Sequence, residues 1–440
     1  MSTLKLISHI KAKQLFLIAM LCSVFFSTSA QSLDSLIEAG LKNNAKIKSF
    51  SFKHLQQGAE EEKLSAYPAP SVGLSFSQMP FSSLNFLDKP FSQNISFSQM
   101  LPLGGKLDAM KEMSKSALPE IHAELRTAQI QLTAEIKMSY YKWAAAHLKY
   151  LLVKENISVL QMLKSFSVNA LNNSLRTYNV LLLDSELGLA DISLKKTKQE
   201  INEQITLLTR YTGVSELTIP DTSILSFANI SYSRTEIDSL VKENNPTIKQ
   251  MNAMVGMNDL EMKANEKELY PDLMLEAMLM RMPQGMPLTT KTPTDMIDGM
   301  GKTAYMYSLT ASISLPFAPW SKKGITAKSE EISFKNKRIE SEISDMTAEM
   351  SAKSNILYDK YLTASKSVQE YESSVLLPLA NAKNSAILLY QSDASSITSF
   401  LSVQKMYLME YMNYLMLKTD AGMALIEMEM MTGTNIIKRN

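Results

Sequence analysis

The chain has a single cysteine, Cys22, and it falls within the first thirty of 440 residues. Everything after it is free of thiols, which excludes disulfides, thiol catalysis and thiolate metal sites there and leaves packing alone to hold the fold. Histidine is nearly as scarce: beyond His9, only His54, His122 and His147 remain, standing singly without metal-ligand spacing. No metal set and no cofactor is assigned. An excess of one charge is also missing, since 45 Lys+Arg meet 44 Asp+Glu. Without a basic patch there is no electrostatic footprint for nucleic acid, which is set aside as a partner. Fourteen glycines are few for a loop-rich α/β enzyme. No Gly-rich phosphate loop, Ser-His-Asp pattern or carboxylate pair stands out, so the chain reads as no enzyme. Nor does any run of 18 apolar residues occur after residue 30, which argues against a helical inner-membrane protein.

The first thirty residues read as an address. Lys5, Lys11 and Lys13 precede an apolar run from Leu15 to Phe26, followed by the small residues Ser27-Thr28-Ser29-Ala30. That is the pattern of a cleaved secretory signal peptide, 1–30, and the run is too short for a spanning anchor. Leu21 is bulky where a lipoprotein signal takes a small residue, so Cys22 is not read as lipidated.

The rest of the chain repeats itself. Ser35-Leu36 recurs as Ser239-Leu240, Asn43-Asn44 as Asn244-Asn245, Ile47 as Ile248 and Tyr67-Pro68 as Tyr270-Pro271. Leu101-Pro102 recurs as Leu315-Pro316 and Thr212-Gly213 as Thr432-Gly433. One unit of roughly 200 residues is therefore read as duplicated. The first repeat spans 31–213, a linker 214–234, the second repeat 235–433, and a tail 434–440. Each repeat opens with a helix, 33–65 and 236–268, the second started by a capping box from Thr235 to Asp238.

Between the Tyr-Pro and Leu-Pro landmarks the period changes to two. Val72, Leu74 and Phe76 alternate with small polar residues, and so do Ile95 and Phe97. In the second repeat Leu273, Leu275, Ala277 and Leu279 alternate with Met274, Glu276, Met278 and Met280, while Tyr305, Tyr307 and Leu309 alternate with Met306, Ser308 and Thr310. The alternation predicts one hairpin per repeat, with strands at 71–79 and 93–101 and at 272–282 and 305–315.

A seven-residue apolar period dominates the remainder. Leu118, Ile121, Leu125, Ala128 and Leu132 form one seam, and Ile332, Ile339, Ile343, Met346, Met350 and Leu357 another. Helical hairpins are expected over 103–212 and 322–432. The first outgoing helix, from about Gly105 to Leu171, would be roughly 100 Å long. Pro119 and Pro378 should bend their helices. Asn172-Asn173-Ser174 and the stretch from Gln391 to Ser396 are polar and small, as chain reversals require.

Four strands cannot close a barrel, and an open sheet edge is excluded from lipid because its backbone groups go unbonded. Several copies must therefore pool their strands. Three copies give twelve, an even number that satisfies every edge, although composition does not choose three over four. With the apolar residues toward lipid, the opposite face lines an aqueous pore: Ser75, Ser96, Ser98, Met274, Glu276, Met278, Met280, Met306, Ser308 and Thr310.

The order of helix, Tyr-Pro, hairpin, Leu-Pro, long helical hairpin and Thr-Gly, twice over, resembles the TolC family of outer-membrane efflux proteins. Asn244-Asn245-Pro246 with Ile248, Tyr270-Pro271, Leu315-Pro316 and Leu101-Pro102-Leu103-Gly104-Gly105-Lys106 carry the likeness. The resemblance implies a mainly α fold with a small β part: a homotrimer with a twelve-stranded barrel in outer-membrane lipid and an α-helical periplasmic tunnel. It also implies docking to a periplasmic adaptor (membrane fusion) protein and an inner-membrane pump. The family narrows its periplasmic mouth with inward polar residues, often acidic. The matching positions here are Ser399 and Ser402, a departure, while Asp184 holds the equivalent place in the first repeat. Asn173 and Asp393 lie in the two reversals, so the tip set is Asn173, Asp184, Asp393, Ser399 and Ser402.

Methionine is abundant where cysteine is not: 30 in all, twelve of them between Met251 and Met306. Thioethers are soft ligands suited to copper(I) or silver, but a methionine stripe at helical spacing, such as Met251, Met254 and Met257, also reads as adaptable packing. Packing is the reading adopted. The expected function is a passive conduit of a tripartite efflux system, with copper/silver efflux or type I protein secretion as versions of it. The alternatives are a trimeric coiled-coil surface adhesin and a soluble periplasmic adaptor.

Overall fold

The computed structural model describes residues 32–77, 92–168, 173–226, 230, 232–282, 303–392 and 397–436. The expected signal peptide, Asp393 and the residues joining the strands of each hairpin lie outside the described residues. In chain order the elements are α1 (Leu33–Asn43), α2 (Ala45–Ser65), β1 (Ser71–Ser77), β2 (Ser92–Pro102), α3 (Lys106–Lys115), α4 (Ala117–Val168) and α5 (Asn173–Thr212). After a short 3-10 turn at Thr222–Leu225 come α6 (Arg234–Asn244), α7 (Pro246–Lys267), β3 (Asp272–Met282), β4 (Ala304–Ile313) and α8 (Pro319–Glu370). A π-helical turn, Tyr371–Leu376, leads into α9 (Leu377–Ser392), and α10 (Ile397–Thr432) ends the chain's helices. Among the described residues no helix is long and apolar enough to cross a membrane.

These elements form two compact units. One, here the helical unit, takes the described residues within 32–48, 128–243 and 351–436; the other, the sheet unit, takes those within 49–127 and 244–350. Each draws on both halves of the chain.

In the sheet unit the four strands form one antiparallel sheet in the order β1-β2-β3-β4. The two hairpins are joined through β2 and β3, with Gln93 to Pro102 opposite Arg281 to Asp272. Around the sheet, α7 starts at Asn245, whose carboxamide oxygen accepts from the backbone N–H groups of Thr247 and Ile248 (3.0 and 3.2 Å). Pro246 follows at the first helical position, where a missing N–H costs nothing. Buried Asn258 donates to Asn336 on α8 (2.8 Å), which donates in turn to Asp259 (2.8 Å).

In the helical unit one core gathers Leu33, Leu36, Leu132, Ile136, Tyr140, Trp143 and Leu208. Trp143 meets Tyr140 edge-on at 5.7 Å, a favoured aromatic geometry. The Tyr140 hydroxyl accepts from the Asp221 N–H (2.7 Å), which ties the segment after α5 down to α4. The Asn43-Asn44 landmark also has a physical role here: both carboxamides donate to the last carbonyls of α5, on Thr212 (3.3 Å) and Tyr211 (3.1 Å). Gly213 and Gly433, the glycines of the two Thr-Gly landmarks, end their helices at φ 72° and 63°, the left-handed cap that terminates a helix.

Several local expectations need correction. The outgoing helix from Gly105 to Leu171 is not one rod. It breaks at Ser116, whose hydroxyl turns back to the Met113 carbonyl (2.5 Å), and Pro119 sits in the first turn of the new helix, where it is tolerated. The helix expected over 33–65 is likewise split at Asn44, which caps the second piece through the Lys46 N–H (2.9 Å). The other, over 236–268, splits at Asn245. The capping box lies two residues upstream of Thr235–Asp238: Ser233 N–H donates to the Glu236 carboxylate (2.7 Å) and Glu236 N–H to the Ser233 hydroxyl (3.4 Å). Pro378 lies just past the π-helical turn Tyr371–Leu376. Its ring would collide with the carbonyl of residue 374, and the widened turn relieves that.

Candidate functional site

The strand register decides which side chains share a face. On β1 and β2, Ser75 is opposite Asn94, Gly73 opposite Ser96 and Ser71 opposite Ser98. On β2 and β3, Asn94 meets Met280, Ser96 meets Met278, Ser98 meets Glu276 and Met100 meets Met274. On β3 and β4, Met280 meets Met306, Met278 meets Ser308 and Glu276 meets Thr310. All ten residues singled out in the strands therefore stand on one face. The hydrogen bonds there are between small polar groups: Ser71 with Ser98 (2.7 Å), and Asn94 to the hydroxyls of Ser75 (3.1 Å) and Ser77 (3.3 Å).

The opposite face carries Val72, Leu74, Ile95, Phe97, Leu275, Leu279, Tyr305, Tyr307, Leu309 and Ile313, and all are exposed. Tyr307 is 81% and Leu309 78% exposed. This inverts the pattern of a sheet in a water-soluble domain, where the apolar face is the covered one. Among the described residues the outer strands β1 and β4 each have one neighbour, so each presents an open edge.

At the end of the sheet where β1 begins and β4 ends, exposed aromatic residues collect: Tyr67, Tyr270, Phe317 and Trp320. Sequence reasoning named Tyr67 and Tyr270 only as landmarks of the repeat and did not group them with Phe317 and Trp320. The signal was present: Tyr67, Tyr270 and Phe317 lie within four residues of a strand end, and Trp320 lies in the first turn of the helix after β4.

The same end is built around a buried cation. Lys106 is almost wholly enclosed and pairs with Asp272 (2.7 Å) and Glu268 (3.4 Å). Gly104 makes this possible. Its φ is +69°, and a Cβ there would lie 2.2 Å from the ring of Tyr270, so only glycine lets the two landmarks touch. The Leu103 N–H then donates to the Pro271 carbonyl (3.3 Å). Leu-Gly-Gly-Lys and Tyr-Pro are thus two halves of one corner.

In the helical unit the ends beside the two reversals share a core. Leu160, Leu163, Leu183, Ala190, Tyr390, Ile397, Phe400 and Leu401 pack together, from α4, α5, α9 and α10. The hydroxyls of Ser167 and Tyr390 are hydrogen-bonded inside it. Of the tip residues, Asp184 is half exposed and salt-bridged to Lys164 on α4 (2.5 Å). Ser399 and Ser402 are exposed, the latter turning its hydroxyl to the Thr398 carbonyl (2.9 Å). Asn173 begins α5.

A second polar cluster went unnoticed in the sequence. Tyr407, Tyr411 and Tyr414 follow one another along α10 with tilted rings, their centroids 6.0 and 5.7 Å apart. Lys383 lies over Tyr407 (4.4 Å) and pairs with Glu155 (3.3 Å). Tyr414 donates to Glu372 in the π-helical turn (2.5 Å). Burial, then that carboxylate, pushes the Tyr414 phenol far above its ordinary range. Among the described residues no group of three or more His, Cys, Asp or Glu could hold a metal ion.

No family model and no curated protein matches the sequence. Solved structures do. The chain is similar to a membrane protein from Pseudomonas aeruginosa, with TM-score 0.70, 12% identity, and 92% of this chain and 91% of that one covered. It is similar to the open state of the Neisseria gonorrhoeae MtrE outer membrane channel, with TM-score 0.68, 13% identity and coverage of 92% and 90%. It is also similar to the Campylobacter jejuni CmeC outer membrane channel, with TM-score 0.64, 13% identity and coverage of 95% and 92%. The fold is thus the TolC-like one expected from the resemblance: mainly helical, with long bent helices and a small antiparallel sheet.

Proposed function

We propose that this chain is one protomer of an outer-membrane channel, a passive conduit that takes its substrates from a periplasmic adaptor and an inner-membrane pump. One observation carries the reading: a four-stranded sheet whose apolar face is bare and whose two edges are open. Such a sheet is stable neither in water, because of the face, nor alone in lipid, because of the edges. Pooling strands in a homotrimer gives twelve and answers both demands. The similarity in fold to chains described as outer membrane channels supports this.

In this reading the Ser/Met/Thr face lines the barrel, lipid covers the Leu/Tyr face, and Tyr67, Phe317 and Trp320 sit at the membrane interface, where amphipathic rings collect. The helices form the periplasmic wall, and Asn173, Asp184, Asp393, Ser399 and Ser402 narrow its mouth. With Asp184 neutralised by Lys164, that mouth is less acidic than a free carboxylate ring. No catalytic role is assigned to any residue. The cargo, whether drug, metal ion or protein, is set by the pump.

Purified full-length protein, reconstituted into planar bilayers, should conduct ions in discrete steps and migrate as a trimer in detergent by light scattering. A monodisperse monomer, soluble without detergent and silent in bilayers, overturns the reading.

A further inference from the structure

The methionines of the sheet are sorted by face, completely. Met100, Met274, Met278, Met280, Met282 and Met306 all stand on the Ser/Thr/Glu face, and none stands on the Leu/Ile/Phe/Tyr face. If methionine merely replaced leucine as adaptable filler, it would fall on the apolar side, or on both. Met282 is buried and faces Ala304, but the other five have serines, an asparagine and other methionines as their partners across the strands.

Two of the pairings put methionine directly opposite methionine: Met100 with Met274, and Met280 with Met306. Side chains directly opposed across antiparallel strands have Cβ atoms about 4.5–5.5 Å apart. Each thioether arm has three rotatable bonds, so both sulfurs of a pair can converge on one ion. Met100, Met274 and Met306 are open to solvent, so an ion could reach them. Thioether sulfur is a soft ligand that favours copper(I) over the hard cations abundant in the periplasm.

We propose that Met100–Met274 and Met280–Met306 are contact sites for a soft monovalent cation, silver or copper(I), on the wall of the conduit. The placement on a conduit wall rests on the channel reading above; the binding of the ion does not. The ion is cargo held in passing, by two neutral ligands, so binding is reversible and selects by softness rather than charge.

The test uses silver nitrate, a probe that needs no reductant, with full-length protein in detergent and nitrate buffers. Equilibrium dialysis should show silver bound, and X-ray absorption at the silver edge should show sulfur neighbours. Met100→Leu/Met274→Leu/Met280→Leu/Met306→Leu should lower silver affinity at least tenfold, whereas Met251→Leu/Met254→Leu/Met257→Leu on α7 should not. Equal affinity in both variants, or a wild-type spectrum without sulfur neighbours, overturns the proposal. The wild-type spectrum decides even if the quadruple variant does not fold. Conductance in silver-free nitrate is recorded alongside: its absence strikes the channel reading, whereas its presence without sulfur-bound silver strikes this proposal alone.

Discussion

The cores of the helical unit and the strands of the sheet unit use the same apolar residues in opposite ways. In the cores of the helical unit Phe400, Trp143 and Leu183 are essentially inaccessible, although elsewhere in that unit Leu181, Ile192 and Leu388 are exposed. In the strands of the sheet unit Leu309 and Tyr307 stand almost fully exposed while Ser92 and Asn94 are buried. Under the channel reading proposed above, the difference lies in the surroundings: water rewards the first arrangement, and hydrocarbon on one side with water on the other rewards the second.

This contrast can be broken experimentally. Truncating a side chain in the covered core should cost most: Phe400→Ala should destabilise by about 3–5 kcal/mol, read as a fall in melting temperature. If it costs nothing, the shared core at the reversals is not formed. Next come paired substitutions on adjacent residues of β4. Leu309→Arg should cost about 2–4 kcal/mol in lipid folding assays, while Ser308→Arg one residue away should cost little. Equal effects would mean that the two faces do not meet different media.

The corner at the sheet's end sharpens the comparison further. Gly104→Ala and Gly105→Ala both force alanine into left-handed backbone, φ +69° and +75°, but only Gly104 also collides with Tyr270. The first should therefore cost roughly 1–3 kcal/mol more than the second, by thermal melts of both variants. The smallest effect concerns acid. Hydrogen bonds from Lys242 and then from the Ser351 hydroxyl hold the Asp238 carboxyl below its ordinary value. A depressed native pKa means stability that is complete above the unfolded value of about 3.9 and lost as pH falls through the lower native one. Asp238→Asn should flatten that part of the melting profile, by less than about 1 kcal/mol because the pair with Lys242 is partly exposed.

Much of the sheet was legible because alternation is a local property: the two-residue period alone assigns each strand residue to a face, and β3 runs from Asp272 to Met282. The aromatic group around Trp320 could have been found by the same means. The breaks at Ser116 and Asn44 were hidden because continuous apolar periodicity does not reveal where a side chain diverts the helix to a cap. Asp184 could be placed in the sequence but not paired, since Lys164 is brought to it by helix packing rather than by spacing.

By itself, the sequence determined the periods, the duplicated landmarks and the shortage of strands, since these depend only on the order of residues along the chain. Only the tertiary structure decided that β2 pairs with β3, that Gly104 must yield to Tyr270, and that methionine faces methionine. Those facts join residues more than 160 positions apart or depend on register, and a one-residue slip in register would have sent each side chain to the other face.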